Sequence, residues 1–263
     1  MPLNQGYEYT ERLPLACEGE PLLLYLARTY PHSTEAEWRE RMEAGEVTLD
    51  GAPAGPETEP RAGQQLIWRR PPWEEPDAPL SYGVLHEDHH AVVVDKPAGL
   101  PTLPGAGFLE NTLLARVRAD FPEVSPVHRL GRWTSGTVLF ARTADARTHF
   151  GRAWGTDQVL KSYRALLGGR PERDALRAEH PIGPVPHDTL GSVHAASDTG
   201  RASRSDFRII ERRADSSLAD VVIRTGRPHQ IRIHAAALGF PLLGDPLYIS
   251  GGRPAAGCRA LPG

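Results

Sequence analysis

Apolar positions in this chain fall into short runs separated by glycine, proline and charged residues, and the period of the runs changes along the sequence. Pro21-Leu22-Leu23-Leu24-Tyr25-Leu26-Ala27 predicts a short apolar helix that stops near Tyr30-Pro31. Thr34 stands three residues before Glu37, the spacing of a capping box, and Gly45 is placed to end the helix it starts. Val47-Thr48-Leu49 alternates as a strand into an Asp50-Gly51 turn, and Leu66-Ile67-Trp68 is a further short strand. Residues 12–70 therefore read as a small α+β module behind a polar leader. The proline-rich stretch 71–79 reads as a linker, and 80–263 as a second, larger domain.

In that second domain Ala91-Val92-Val93-Val94 predicts a fully buried strand, ended by Asp95-Lys96-Pro97-Ala98-Gly99. A helix is expected over 112–119, a core strand over 137–141, and a helix over 144–154 with Phe150 and Trp154 spaced to face the core. Residues 161–167 alternate as a strand with Lys161, Tyr163, Ala165 and Leu167 on one side and Ser162, Arg164 and Leu166 on the other. Strands at 206–210 and 219–224 and a helix over 230–238, closed by Gly239, complete the pattern. The fold class is α+β, a mixed domain dominated by an antiparallel sheet with a small module before it.

Between two of these elements lies HRLGRWTSG at 128–136, an arginine-rich turn with a glycine at its middle that runs straight into a buried strand. Such a turn is how a loop is held over a sheet, and loops held that way carry chemistry. Composition sharpens this. Only Lys96 and Lys161 are lysines among the 30 basic residues, so the rest are arginine, which forms planar, bidentate contacts to phosphate and stacks on bases. A GC-rich genome gives the same bias, so distribution carries more than the total. Residues 1–80 hold 7 arginines against 15 acidic residues, whereas 127–170 hold 8 basic residues against 2 acidic ones. A focal basic surface on a chain of net charge −3 points to a polyanion bound in one place. Cys17 and Cys258 show no metal-ligand or redox spacing, no apolar run reaches the length of a membrane span, and the start lacks the order of a signal peptide. The expected setting is the cytoplasm, with no membrane and no metal.

Four stretches together resemble a known family. HRLGRWTSG at 128–136, KSYRAL at 161–166 and TGRPHQIRIHAAALGFPLLGDPLY at 225–248 stand in the order and spacing of RluA-type RNA pseudouridine synthases, and HEDHHAVVVDKPAGLPTLPGAG at 86–107 is similar to that family's first strand and loop. The resemblance covers about residues 80–248 and implies a pseudouridine synthase-like domain. The module at 12–70 looks like the small RNA-binding domain that often precedes it, although here it is acidic. The family continues into a further strand and helix beyond the point where this chain stops, at Leu261-Pro262-Gly263, which would leave a sheet edge unpaired.

What the resemblance implies is a reaction on RNA, ribosomal RNA first and transfer RNA as the other candidate, by a monomer that needs no cofactor and no metal. A uridine is flipped out, its glycosidic bond is cut, and the uracil is rejoined through carbon 5. The family's key residue is the aspartate of His-Arg-Leu-Asp, and here that position is Gly131. Tyr163 matches the tyrosine that stacks under the target uracil, Arg232 the arginine that pairs with the catalytic carboxylate, and Arg129 the residue that fills the space left by the flipped base. Arg132, Thr134, Arg164, Arg227 and His229 are the further expected RNA contacts. Asp95 and Asp245 lie in motifs where the family carries polar or acidic residues beside a separate catalytic aspartate, so neither reads as a replacement. Arg232, deprived of its partner, is expected to recruit water, an RNA phosphate or a carboxylate from another loop. Two other readings stand beside an active synthase. One is a catalytically inactive RNA-binding relative; the other is a metal-dependent hydrolase built on His86, His89, His90, His229 and His234, whose spacings match no standard ligand pattern.

Overall fold

In the computed structural model, which describes residues 3–156 and 158–258, the chain divides into two compact units, Met1–Pro76 and Asp77–Gly263. The first unit contains β1 (Tyr7–Arg12), α1 (Leu22–Thr29), α2 (Glu35–Glu43), β2 (Val47–Leu49), β3 (Ala52–Pro53) and β4 (Gln65–Arg70). Its antiparallel sheet has the order β1-β4-β2-β3. Helix α2 is almost wholly polar and begins where its cap directs. The Glu37 N–H donates to Thr34 Oγ1 at 3.2 Å and the Thr34 N–H to Glu37 Oε2 at 2.6 Å, while only Trp38 and Met42, one turn apart, are buried. The polar leader turns out to contain β1. Its residues are mostly exposed and give no burial signal, but it pairs along β4 from Tyr7↔Arg70 to Arg12↔Gln65 and lays Tyr9 flat on Trp68 at 5.0 Å. Within the proline-rich stretch, buried Asn4 accepts the Trp73 N–H at 3.0 Å and donates to Glu75 at 2.8 Å, which fastens residues up to Pro76 to this unit.

The second unit runs β5 (Gly83–Glu87), β6 (Ala91–Lys96), α3 (Leu113–Asp120), β7 (Ser125–Pro126), β8 (Gly136–Ala141), α4 (Ala144–Trp154), β9 (Lys161–Gly168), β10 (Ala175–Ala178), β11 (Ile182–His187), β12 (Gly191–Ala196), β13 (Ser205–Arg212), β14 (Ser216–Ile223), α5 (Gln230–Ala237), β15 (Tyr248–Ser250) and β16 (Arg253–Pro254). Two four-stranded antiparallel sheets, β5-β6-β8-β7 and β10-β13-β14-β9, form its frame, with β11-β12 and β15-β16 as two-stranded ribbons. Valines 92, 94 and 138 and Phe140 of the first sheet bury against Leu113 and Val117 of α3. Ala165, Leu167, Phe207, Ala219 and Val221 of the second bury with Ala235 of α5. Tyr163 packs against both cores.

Helix α4 corrects one expectation. Its only fully buried residue is Ala146, and Phe150 and Trp154 are half-buried. The spacing does place Trp154 on an inward face, but its ring is taken up by stacking on His128 at 4.2 Å and does not enter an apolar core. Strands β5, β11 and β12 went unread because β5 is exposed along its whole length and β11 carries Pro184 and Pro186. The chain end at 261–263 lies outside the described residues. None of the described helices is long and apolar enough to cross a membrane.

Candidate active site

The turn that leads into β8 is held from below by the loop that leaves β6. Lys96 ends β6 with its side chain fully buried, and its ammonium donates to three backbone carbonyls: Pro97 O at 2.8 Å, Leu100 O at 2.7 Å and Arg132 O at 3.0 Å. Burial lowers the Lys96 pKa to about 8, so at neutral pH all three N–H groups remain in use. The Gly99 N–H adds a fourth strut to the same Arg132 carbonyl at 2.8 Å. On the other side of Gly131, the Thr102 hydroxyl donates to Leu130 O at 2.8 Å and accepts the Leu130 N–H at 3.2 Å. Both neighbours of Gly131 are thus fixed through their backbones. Gly131 itself is exposed, its φ lies outside the left-handed region, and an added Cβ would meet only Thr134 Oγ1, at 3.7 Å. Nothing in the turn requires glycine there.

Tyr163 links this turn to the second sheet. It packs against the core that contains Leu130, the residue before Gly131, and against a second core on which Ile231, the residue before Arg232, also packs. Burial raises its pKa, and its hydroxyl makes no hydrogen bond among the described residues. A second tie joins the same elements: His128 accepts the Leu139 N–H at Nε2 and stacks on Trp154, over whose ring Lys161 Nζ sits at 5.6 Å. Burial first and Lys161 second lower the His128 pKa to about 4, which keeps its ring neutral with the proton on Nδ1.

From β9 the contacts pass on to the stretch 225–248. Segment 241–243 lies along β9, with Leu243 N–H donating to Leu166 O at 2.9 Å and Gly168 N–H to Pro241 O at 2.7 Å. Gly244, at φ +80, then turns Asp245 back onto α5. Arg232 grips that carboxylate with both prongs, Nε to Oδ2 at 2.6 Å and Nη2 to Oδ1 at 2.8 Å, and Oδ1 also accepts the N–H groups of Leu247 and Tyr248. Burial alone would raise the Asp245 pKa; the guanidinium and these two N–H groups outweigh it and leave the pKa lowered. A carboxylate from another loop thus pairs with Arg232, and it is that of Asp245, which the sequence does not mark as a replacement for the catalytic aspartate. Tyr248 completes the support. Its ring lies 4.9 Å from the guanidinium and its hydroxyl donates to His194 O at 2.5 Å, so His229 must donate to it from Nδ1 at 2.9 Å.

The remaining candidate residues fall into separate places. Arg129 and Thr134 are exposed on the turn, and the Thr134 N–H closes it onto Gly131 O at 3.0 Å. Arg132 points back, bonded to Gly99 O at 2.9 Å and lying over Phe108 at 4.5 Å and Trp133 at 4.9 Å. Arg227 is tied to Ala202 O and, through its N–H, to buried Gln230, which also binds Thr225, Arg204 O and Ser205. Arg164 stands apart: it projects from the face of β9 opposite Tyr163 and pairs at 3.2 Å with Asp220, which Arg208 shares. His234 is fully buried among Ser203, Ser205 and His180 O, and His86 pairs with Asp88. Among the described residues no three His, Cys, Asp or Glu side chains form a metal-ligand group.

Sequence reasoning missed Lys96, Thr102, Gln230 and Trp154 as parts of this site. For Lys96 a signal existed, since a chain that otherwise uses arginine keeps its two lysines at 96 and 161, and both are here. An ammonium aims three donors from one atom at converging carbonyls, whereas a guanidinium spreads its donors over a wider planar fork.

A turn, a strand and a helix start that lie 30 to 100 residues apart are thereby joined through one tyrosine and one edge segment. Comparison with known proteins follows the same stretches. The family model described as RNA pseudouridylate synthase matches residues 90–237, more than half of the chain. An uncharacterised RNA pseudouridine synthase of Synechocystis is 41% identical over 240 residues, covering 90% of this chain and 82% of the relative. Ribosomal large subunit pseudouridine synthase D of Xanthomonas campestris is 34% identical, covering 90% and 73%. A solved human structure, RNA pseudouridylate synthase domain containing 1, superposes with a TM-score of 0.55 at 25% identity over 65% of this chain and 71% of its own. The family model runs through the turn, β9 and α5, and the chain belongs to the RNA pseudouridylate synthase family.

Proposed function

We propose that this RNA pseudouridine synthase acts on structured RNA with an incomplete catalytic set, and that its turnover is limited by the absence of a carboxylate at 131. The observation that carries the reading is the state of Gly131: both neighbours clamped, backbone in an ordinary conformation, and open space where a side chain would begin. In the chemistry implied by the family, a carboxylate acts on the sugar while the uracil is released and rejoined through carbon 5. Glycine supplies nothing at that step. Asp245 holds Arg232 as the family's carboxylate would, but it does not fill the gap, because its Oδ1 also takes two backbone N–H groups and its side chain is only 4% exposed. Tyr163 supports base stacking, being half-buried with its hydroxyl uncommitted, and exposed Arg129 supports replacement of the flipped base.

Ribosomal RNA of the large subunit is the favoured substrate, on the strength of relatives so named, and transfer RNA is the alternative. Binding without isomerisation is the second reading, favoured by the same missing carboxylate. Tritium release from RNA labelled at uridine carbon 5 tests both. The expected result is little or no release by the wild type together with retained RNA binding. Robust wild-type release that disappears on changing some other single carboxylate would overturn the proposal.

A further inference from the structure

Beside Gly131 the turn presents a large aromatic side chain, Trp133, to which the proposed function gives no role. Trp133 is 53% exposed, although a ring of that size gains more than any other from burial. It is nevertheless braced. Arg132 lies over the ring at 4.9 Å and is itself anchored to Gly99 O at 2.9 Å, and Gly99, at φ +90, brings the backbone of the clamping loop against the ring edge, where an added Cβ would lie 3.6 Å from Cζ3. The carbonyl of Arg132 is fixed by Lys96 and Gly99, so the residue that precedes Trp133 cannot swing.

We propose that Trp133 is a preformed stacking platform for an unpaired nucleobase next to the target nucleotide. The inference rests on the chain acting on RNA. A braced, half-exposed ring has little freedom left to lose on binding, and a π-face stacks on any base. Its place in the chain supports this partner: exposed Arg129 stands four residues before it, and Gly131, the family's catalytic position, two before. The Arg132 guanidinium adds a cation to one side of the stack, which strengthens recognition of an anionic strand. Trp133 would set the preference for a base over an empty backbone at the flanking position, while the arginines supply the charge.

The test uses the full chain and two fluorescent hairpin RNAs of identical charge, one with an all-uridine loop and one with an abasic loop. Trp133→Ala is expected to weaken binding of the uridine-loop hairpin roughly 5- to 150-fold, the range for losing one base–aromatic stack, and to leave the abasic hairpin unchanged. The salt dependence should stay the same, since no phosphate contact is lost. Trp133→Phe, which keeps a ring, should stay within about threefold of wild type and separates loss of stacking from collapse of the turn. Equal binding of both hairpins by Trp133→Ala and wild type, or an equal loss on both hairpins, overturns the platform. Failure of the wild type to bind either hairpin overturns the RNA reading beneath it.

Discussion

The turn at 128–136 and the start of α5 are both fixed by buried polar groups, yet they are fixed by different kinds of atoms. In the turn the held atoms are backbone carbonyls and N–H groups, gripped by Lys96, Gly99 and Thr102. At α5 they are side chains: Arg232 on Asp245, Gln230 on four partners, His229 on Tyr248. A backbone clamp is indifferent to the side chain it presents, whereas a side-chain network fails when any member changes. On the proposed reading, the difference lets this chain carry glycine at the position of the family's aspartate without losing the loop that displays it. It also separates two losses, one of chemistry and one of fold.

The largest effect expected from this contrast is a gain. On the proposed reading Gly131→Asp should raise tritium release by at least about a thousandfold, since removing a catalytic group of this kind lowers turnover by roughly four to six orders of magnitude, and full recovery is not expected because Asp245 already holds Arg232. The backbone there is not left-handed and the new Cβ has room, so the substitution should cost under about 1 kcal/mol of stability. No gain in a folded variant would break the comparison, since it would mean that the turn is not held where the chemistry needs it.

How much of this was legible in the sequence depended on which atoms do the holding. The cap at Thr34 and the apolar runs of β6 and β8 announce themselves because cap chemistry and burial leave marks at known spacings. Edge strands such as β1 and β5, exposed on most of their length, leave none. In the site, the motifs pointed to Tyr163 and Arg232, but the Asp245 pairing could not be read. It depends on Gly244 at φ +80 reversing a segment already zipped onto β9, and that is a tertiary fact. The clamp was hidden for another reason. Its partners are carbonyls, which every residue has, and only the rarity of lysine in this chain marked Lys96.

Next in size is the side-chain network. Asp245→Asn is expected to cost about 3 kcal/mol, the low end for breaking a buried pair, because Arg232 is itself 28% exposed. Its pH dependence has a definite sign. The Asp245 pKa is lowered in the folded chain, so the pair's contribution is complete above the unfolded value of about 3.9 and is lost as pH falls below it. Urea titrations at pH 7 and pH 3 should therefore show a smaller gap between wild type and Asp245→Asn at the lower pH; an unchanged gap would show that the carboxylate's charge contributes nothing.

Lys96→Met tests the backbone clamp and should cost about 2 kcal/mol at pH 7, less than Asp245→Asn, since three carbonyls lose a donor while a buried charge is removed. Here the slope has the same sign, since burial lowers this folded pKa too, but it falls in the alkaline range. The folded pKa of about 8 lies below the unfolded value near 10.4, so between these the unfolded chain binds more protons and wild-type stability rises with pH, by at most about 1.4 kcal/mol per unit. Lys96→Met should lack that rise, and hydrogen exchange at the Gly99 and Leu130 amides should quicken.

The smallest effect separates the two faces of one strand. Arg164 and Tyr163 are neighbours on β9 but point to opposite sides of the sheet, and Asp220 keeps Arg208 as a partner when Arg164 is neutralised. Arg164→Gln should therefore change stability by no more than about 0.5 kcal/mol. As an RNA phosphate contact it should reduce the slope of log affinity against log salt by about 0.7 to 0.9, the value for one lost contact. Arg129→Gln should produce a similar change in slope, since Arg129 is also a single exposed cation. The two must then differ in chemistry. In the Gly131→Asp background Arg129→Gln should lower turnover, because on the proposed reading it fills the space left by the flipped base, and Arg164→Gln should leave turnover unchanged, because its side chain leaves β9 on the face opposite Tyr163. A fall in turnover with Arg164→Gln would show that the outer face of the sheet is coupled to the site, and the division between a face that binds and a face that reacts would have to be abandoned.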